Sequence, residues 1–422
     1  MSARRGSLTL TRLFVKGSPP RDFRQRFLQA IRLRMFQPLK PDDGAIESSG
    51  WCVMERPFDL EFDAGKVYDD HYVMLGLRID RFRIPAAMIR SQMADEEQRI
   101  LSKTGKNRLS RNERLELRDK IVMKLRKKFS PSTRSIDMVW DIDQGLVMFF
   151  THSRRVLADF SALFEKTFGL ELDEDSPYLA AERAQLPERV FKRLNDIEPL
   201  RLSKPSAEEK RAEAEAAAKA ESEAEADEEK DELFQRIETT RFLGPEFLLW
   251  IWLRGEFVNA GVELGEAGTH QVWLDRQLVL ESPLDKNERV TIRGAAPADG
   301  EEAREAVRAR KFPVRARIAI QGAEHEFATG LDAPRFAIAS ASVPSVMNAD
   351  ASEAFLERMT LAGILFSTLD QLYAAFLSER LSDVWQEGWE PAIKTWVTGE
   401  SVSGSILQRL NPAPQRKAAR RR

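Results

Sequence analysis

The sequence predicts an α+β fold: mixed or antiparallel sheets packed with long amphipathic helices. Strands and helices follow one another irregularly, with hairpins, instead of in strict β-α-β alternation. Short runs alternate polar and apolar residues, while longer runs repeat with helical period.

Taken in order, "SLTLTRLFVKG" alternates Leu8, Leu10 and, less cleanly, Arg12 and Phe14 on one side of a half-buried strand. "SPPRDFRQRFLQAIRLRMF" reads as a helix started by Ser18 and its prolines, with Phe23, Phe27, Leu28 and Ile31 as its stripe. "DDHYVMLGLRIDRFRIP" is a strand. The stretch from Ala86 to Phe129 is one long helix or two, broken near Gly105. "IDMVWDIDQGLVMFF" is a hairpin turning at Asp143-Gln144-Gly145. "SRRVLADFSALFEKTFG" is an amphipathic helix through Leu157, Phe160, Phe164 and Phe168, stopped by Gly169.

Residues 1–200 thus read as an N-terminal α+β region. Residues 201–236 hold 12 acidic and 7 basic residues with almost no large apolar side chains before Leu233, so a charged, flexible insertion is expected. Residues 237–400 form a C-terminal α+β region. It opens with "FLLWIWL", apolar all round a helix, continues through strands at "HQVWLDRQLVLES", "ERVTIRG" and "FPVRARIAIQGAEHEFAT", and ends in a long helix. Residues 401–422 are expected to be an unfolded basic tail.

The chain balances 65 Lys and Arg against 67 Asp and Glu, so global charge names no partner and only the arrangement of charge can. The one cysteine, Cys52, excludes an intrachain disulfide and suits a reducing cytoplasm. No run is long and apolar enough for a signal peptide or a membrane span, so a soluble cytoplasmic protein without membrane contact is expected.

Catalytic patterns are scarce. His71, His152, His270 and His325 have no partner at metal-ligand spacing, and there is no phosphate-binding glycine loop or nucleophile elbow. Asp141 and Asp143 invite a metal-dependent nuclease reading, but they sit where a hairpin turns, a position aspartate favours for its own hydrogen bonds. The expectation is a non-enzyme that uses no cofactor.

Charge concentrates in one region. From Arg78 to Arg134 there are 17 Lys or Arg and 7 Asp or Glu. At about 100° per residue, Lys120, Lys124 and Lys127 fall in a stripe about 60° wide beside an apolar face of Leu117, Ile121, Leu125 and Phe129. Lys103, Lys106, Arg108 and Arg111 extend the charge across the Gly105 break. Like charges gathered this way repel unless a polyanion neutralises them. Interleaved aromatics and base-reading spacings are missing, so any nucleic-acid grip should fall on the backbone.

The order Gly50-Trp51, "VMLGLRIDRFRIPAAMI", the basic helix ending "KKFS", "MVWDIDQGLVMFF" and then an amphipathic helix resembles the bacterial recombination-associated RdgC family. The resemblance spans roughly residues 5–200 and continues through about 240–390 as an order of elements. It implies a ring-shaped homodimer that encircles double-stranded DNA without sequence preference, acts near the nucleoid and restrains RecA recombinase indirectly. Carried over by position, Lys103, Lys106, Arg108, Arg111, Lys120, Lys124, Lys127 and Lys128 would line the DNA hole, and Phe129 would help close the dimer; within its own chain, Phe129 could instead cap its helix's apolar face. The 201–236 segment and the basic tail depart from the family pattern. The competing reading is a structural protein whose basic helix docks on an acidic protein partner.

Overall fold

The computed structural model describes residues 2–40, 44–202, 228–258, 260–285, 287–346, 348 and 350–411. The fold is mixed α+β with antiparallel sheets, as expected. The chain divides into two units: Met1–Ala3 with Leu13–Asp173, and Arg4–Arg12 with Glu174–Arg422.

The first unit is built on strands β2 (Glu47–Cys52), β3 (Tyr68–Asp69), β4 (Tyr72–Arg81), β5 (Ser132–Asp141) and β6 (Leu146–Phe149), in the order β6-β5-β4-β2 with β3 on β4. Helix α1 (Phe23–Leu33) precedes the sheet, and α2 (Ala64–Val67) leads into β3. Helices α3 (Ala86–Thr104) and α4 (Arg111–Arg126) are inserted between β4 and β5, and α5 (Arg154–Phe168) follows β6. An aromatic core joins sheet to helices. Trp140 lies 5.6 Å from Phe27 of α1 and 5.1 Å from Phe164 of α5, Phe149 stacks on Phe160 at 3.9 Å, and the Trp51 indole N–H donates to Thr167 Oγ1 at 2.9 Å. The α5 stripe is buried as its spacing requires, and Gly169 ends the helix in the left-handed conformation (φ 69°).

Two details differ from expectation. Helix α1 begins after Asp22 rather than at Ser18, because the chain through Pro19 and Pro20 reaches helical geometry only there. The β5–β6 turn is held by Asp141 Oδ1, which accepts from Gln144 N at 2.9 Å, with Gly145 at φ 62°. Asp141 is therefore a turn former, as its position suggested.

The outer edge of the sheet is made by a glycine. The segment after α1 runs beside β2, with Phe36 N donating to Trp51 O at 2.9 Å and Trp51 N to Arg34 O at 3.1 Å. A Cβ on Gly50 would stand 2.6 Å from Phe36 Cα. That close approach lets the buried Phe36 ring lie 3.9 Å from the Arg78 guanidinium carbon across the sheet.

In the second unit the strands β7 (Val262–Glu263), β8 (Thr269–Glu281), β9 (Arg289–Arg293), β10 (Phe312–Gln321), β11 (Glu326–Asp332) and β12 (Ala337–Ser342) form an antiparallel sheet with the start of β1 (Leu8–Val15), ordered β9-β8-β10-β11-β12-β1 with β7 on β8. Helix Leu243–Phe257 is buried on all sides from Phe247 to Leu253, in agreement with the apolar run there. Its one buried carboxylate, Glu246, is paired with Arg380 at 2.6 Å on the long helix Ala351–Arg380.

The unit boundary falls near residue 173, not 200. Asp175 is buried against Arg12 at 2.7 Å, Tyr373 donates to Pro177 O at 3.0 Å, and Leu200 N donates to Glu246 at 2.6 Å. These contacts tie residues 174–200 to the second unit. A helix, Glu228–Thr239, covers residues 228–236 of the expected insertion, and residues 203–227 lie outside the described residues. Within the expected unfolded tail, Gly404–Leu410 is instead a helix, because Leu410 is buried next to Gly388 and Asn411 Nδ2 donates to Phe257 O at 2.8 Å. Residues 412–422 lie outside the described residues.

Gly50→Ala should destabilise the protein by about 1–3 kcal/mol, because the new methyl group meets backbone that cannot retreat; chemical denaturation measures it. Burial pushes the Cys52 thiol up to about 11, so at pH 8 a thiol reagent should label it only after unfolding.

Candidate nucleic-acid interface

The basic region is a helical hairpin. Helix α3 stops at Gly105, whose left-handed backbone (φ 69°) lets its N–H reach Leu101 O. Helix α4 starts at Ser110, whose side chain accepts from Glu113 N at 3.3 Å while Glu113 accepts from Ser110 N at 2.8 Å. This reciprocal pair is a capping box. A stop and a start five residues apart in sequence make the stretch two helices, broken at Gly105 as the sequence allowed.

Leu117, Ile121 and Leu125 are the buried centre of the hairpin, and Ile84, Ile89, Met93, Ile100, Leu109 and Phe129 pack around them partly buried. Helix α3 contributes no fully buried side chain, so α4's stripe alone sets how α4 is rolled. The Phe129 ring belongs to this cluster. Its contact with the apolar face of its own helix accounts for its position within the chain.

All eight cations singled out from the sequence are exposed. They do not form one stripe. Lys103, Lys106, Arg108 and Arg111 gather at the hairpin tip, while Lys120, Lys124, Lys127 and Lys128 gather at its base. Helical rise puts Arg111 about 20 Å from Lys124 along the axis. At about 100° per residue, Lys120, Lys124 and Lys127 stand on one flank of the buried stripe and Arg111 on the other. The middle of the hairpin is mixed: Glu96 pairs with Arg99 at 3.3 Å, Glu97 pairs with Arg114 at 3.6 Å, and Glu116 is exposed. The charge is therefore not one-signed along its length.

Lys106 is bound to Glu113 at 2.6 Å. Among the described residues, Lys103, Arg108, Arg111, Lys120, Lys124 and Lys128 have no carboxylate partner. Arg126, although part of the same basic run, is buried 5.7 Å from the Phe82 ring and is no surface cation. Arg118, exposed and without an ion pair among the described residues, lies on the Arg111 flank and belongs with it. Its helical spacing from Arg111 was the signal available in the sequence.

The other candidate chemistry is weaker. His71 Nδ1 lies 2.7 Å from Asp70 and its Nε2 lies 3.7 Å from Asp141. Among the described residues no group of three or more His, Cys, Asp or Glu side chains is placed to hold a metal ion.

The Lys106 ammonium and the two Ser110 hydrogen bonds hold the Glu113 carboxyl down to about 2. A depressed folded value means the cap's contribution is present above the ordinary glutamate range and is lost as pH falls toward 2. A carboxyl titration by NMR should find Glu113 still ionised at pH 3.5, and Glu113→Gln should fray the first turn of α4.

In comparisons with known proteins, no family model matches this chain and no curated protein matches its sequence.

Proposed function

We propose that this protein is a non-enzymatic, sequence-indifferent binder of double-stranded DNA that uses the α3–α4 hairpin as its phosphate-contacting arm. The observation that carries this reading is the set of six exposed cations at the ends of the arm with no carboxylate partner among the described residues. Uncompensated ammonium and guanidinium groups on a packed scaffold suit a backbone contact, whose affinity comes from released counterions and carries no base information.

The resemblance to the RdgC family extends this proposal to a ring-forming homodimer around the duplex, with Phe129 at a subunit contact, a nucleoid setting and an indirect restraint on RecA. Phe129 is only partly buried by its own chain, which leaves ring surface for a second subunit.

A second reading has its own support. Leu115 and Met123 are 50% and 38% exposed on α4 among the cations. An acidic protein helix could cover both the apolar and the charged positions, whereas a phosphate backbone would leave the apolar ones in water.

Replacing Lys120, Lys124 and Lys127 together by Gln should weaken binding to a random-sequence duplex and lower the slope of log affinity against log salt by about 2 to 3. An unchanged slope would remove these lysines from the interface. For the dimer, solution mass decides: Phe129→Leu, which keeps an apolar side chain in the arm, should shift dimers toward monomers. A variant that stays fully dimeric assigns Phe129 to its own helix alone.

A further inference from the structure

The sheet of the second unit ends in a strand that no described segment covers. Strand β9 (Arg289–Arg293) pairs on one side with β8, in a register without a bulge, and stands last in the order of the sheet. Two hydrogen bonds fix which of its backbone groups face inward. Ser282 N donates to Glu288 O and Gly294 N donates to Arg276 O, each at 3.1 Å, one just before the strand and one just after it. An antiparallel ladder alternates residues that bond to the neighbouring strand with residues that do not. Val290 and Ile292 therefore bond to β8, while the N–H and C=O groups of Arg289, Thr291 and Arg293 point out of the edge. Among the described residues no other backbone takes up those outward groups.

The side chains follow the same alternation. Arg289, Thr291 and Arg293 are exposed on one face, and Val290 and Ile292 are half-buried on the other. Natural sheets commonly blunt such an edge with a proline, a bulge or a lysine. Strand β9 has none of these, and its arginines exclude one partner while suiting another. A second copy pairing about a two-fold axis at Thr291 would set Arg289 directly against the partner's Arg293, and like charges so placed repel. A phosphate could meet the arginines but could not donate to the outward carbonyls. An extended peptide offers both donors and acceptors, and acidic side chains on it would face the arginines. Arg293 has no carboxylate partner among the described residues, and Arg289 has only Glu281 at 3.7 Å.

We infer that β9 docks an extended acidic segment of another protein, which adds to the sheet as an antiparallel strand. The segment carries Asp or Glu opposite Arg293 and Arg289, four residues apart. Apolar β-branched residues between them extend the surface of Val290 and Ile292. The inference does not draw on the α3–α4 arm.

Fluorescence anisotropy with the full chain and a labelled peptide, Gly-Ser-Glu-Val-Thr-Val-Glu-Ser-Gly, tests it. Saturable binding is expected. Exchanging both Glu for Lys should weaken it about fivefold or more. N-methylation of the central Thr, whose N–H would face Thr291, should weaken it about tenfold or more. N-methylation of either Val, whose N–H would point away, should change it by less than about threefold. In the protein, Thr291→Pro removes an outward N–H that β8 does not use, a change an edge strand tolerates, and should reproduce the loss. No saturable binding, equal binding of the Glu and Lys peptides, or equal sensitivity to methylation at Thr and Val overturns the proposal. A dimer that Thr291→Pro converts to monomers makes a second copy the occupant and overturns it as well.

Discussion

The roll of α4 about its own axis depends on three side chains, Leu117, Ile121 and Leu125. Burying each contributes about 1.5–3 kcal/mol. The opposing effect is repulsion among the lysines that this roll brings together. Two ammonium groups one helical turn apart, about 6 Å, repel by about 0.7 kcal/mol in water. Burial wins by a wide margin, so the lysines stand where the apolar stripe puts them, and among the described residues Lys120 and Lys124 stay there without a carboxylate partner. Their unbalanced charge follows from packing.

The same logic explains why the arm can be thin. Helix α3 buries no side chain fully, and a two-helix arm has little core to give. Its ends are instead held locally, by the left-handed stop at Gly105 and by the capping box of Ser110 and Glu113 with Lys106. These devices consume one of the tip cations. The remaining tip cations stand beside these two capped helix ends.

Much of the first unit was legible because its signals are local. The α5 stripe, the stop at Gly169, the Asp141 turn and the break at Gly105 each depend on residues within a few positions of one another. Strand β2 was not legible. "ESSGWC" has no regular alternation, and it becomes a strand because β4 supplies a ladder on one side and the chain through Phe36 covers the other, an approach that Gly50 permits. The boundary near residue 173 was equally hidden, since Asp175 and Leu200 are claimed by Arg12 and Glu246, partners distant in sequence. The helix Gly404–Leu410 escaped for the same reason: Leu410 needs the space beside Gly388, which no pattern in the tail itself announces.

By itself, the sequence determined that a cationic helical stretch with a break near Gly105 would exist, because helical period, a breaking glycine and a run of lysines and arginines are written within consecutive residues. Only the tertiary structure decided which of those cations face solvent unpaired, since Arg126 turns inward against Phe82 and Lys106 is taken by Glu113. It also separated the cations into a tip and a base on different flanks. The physical reason is that charge is a property of composition, whereas the direction in which a charge points is set by what the opposite face of its helix must bury.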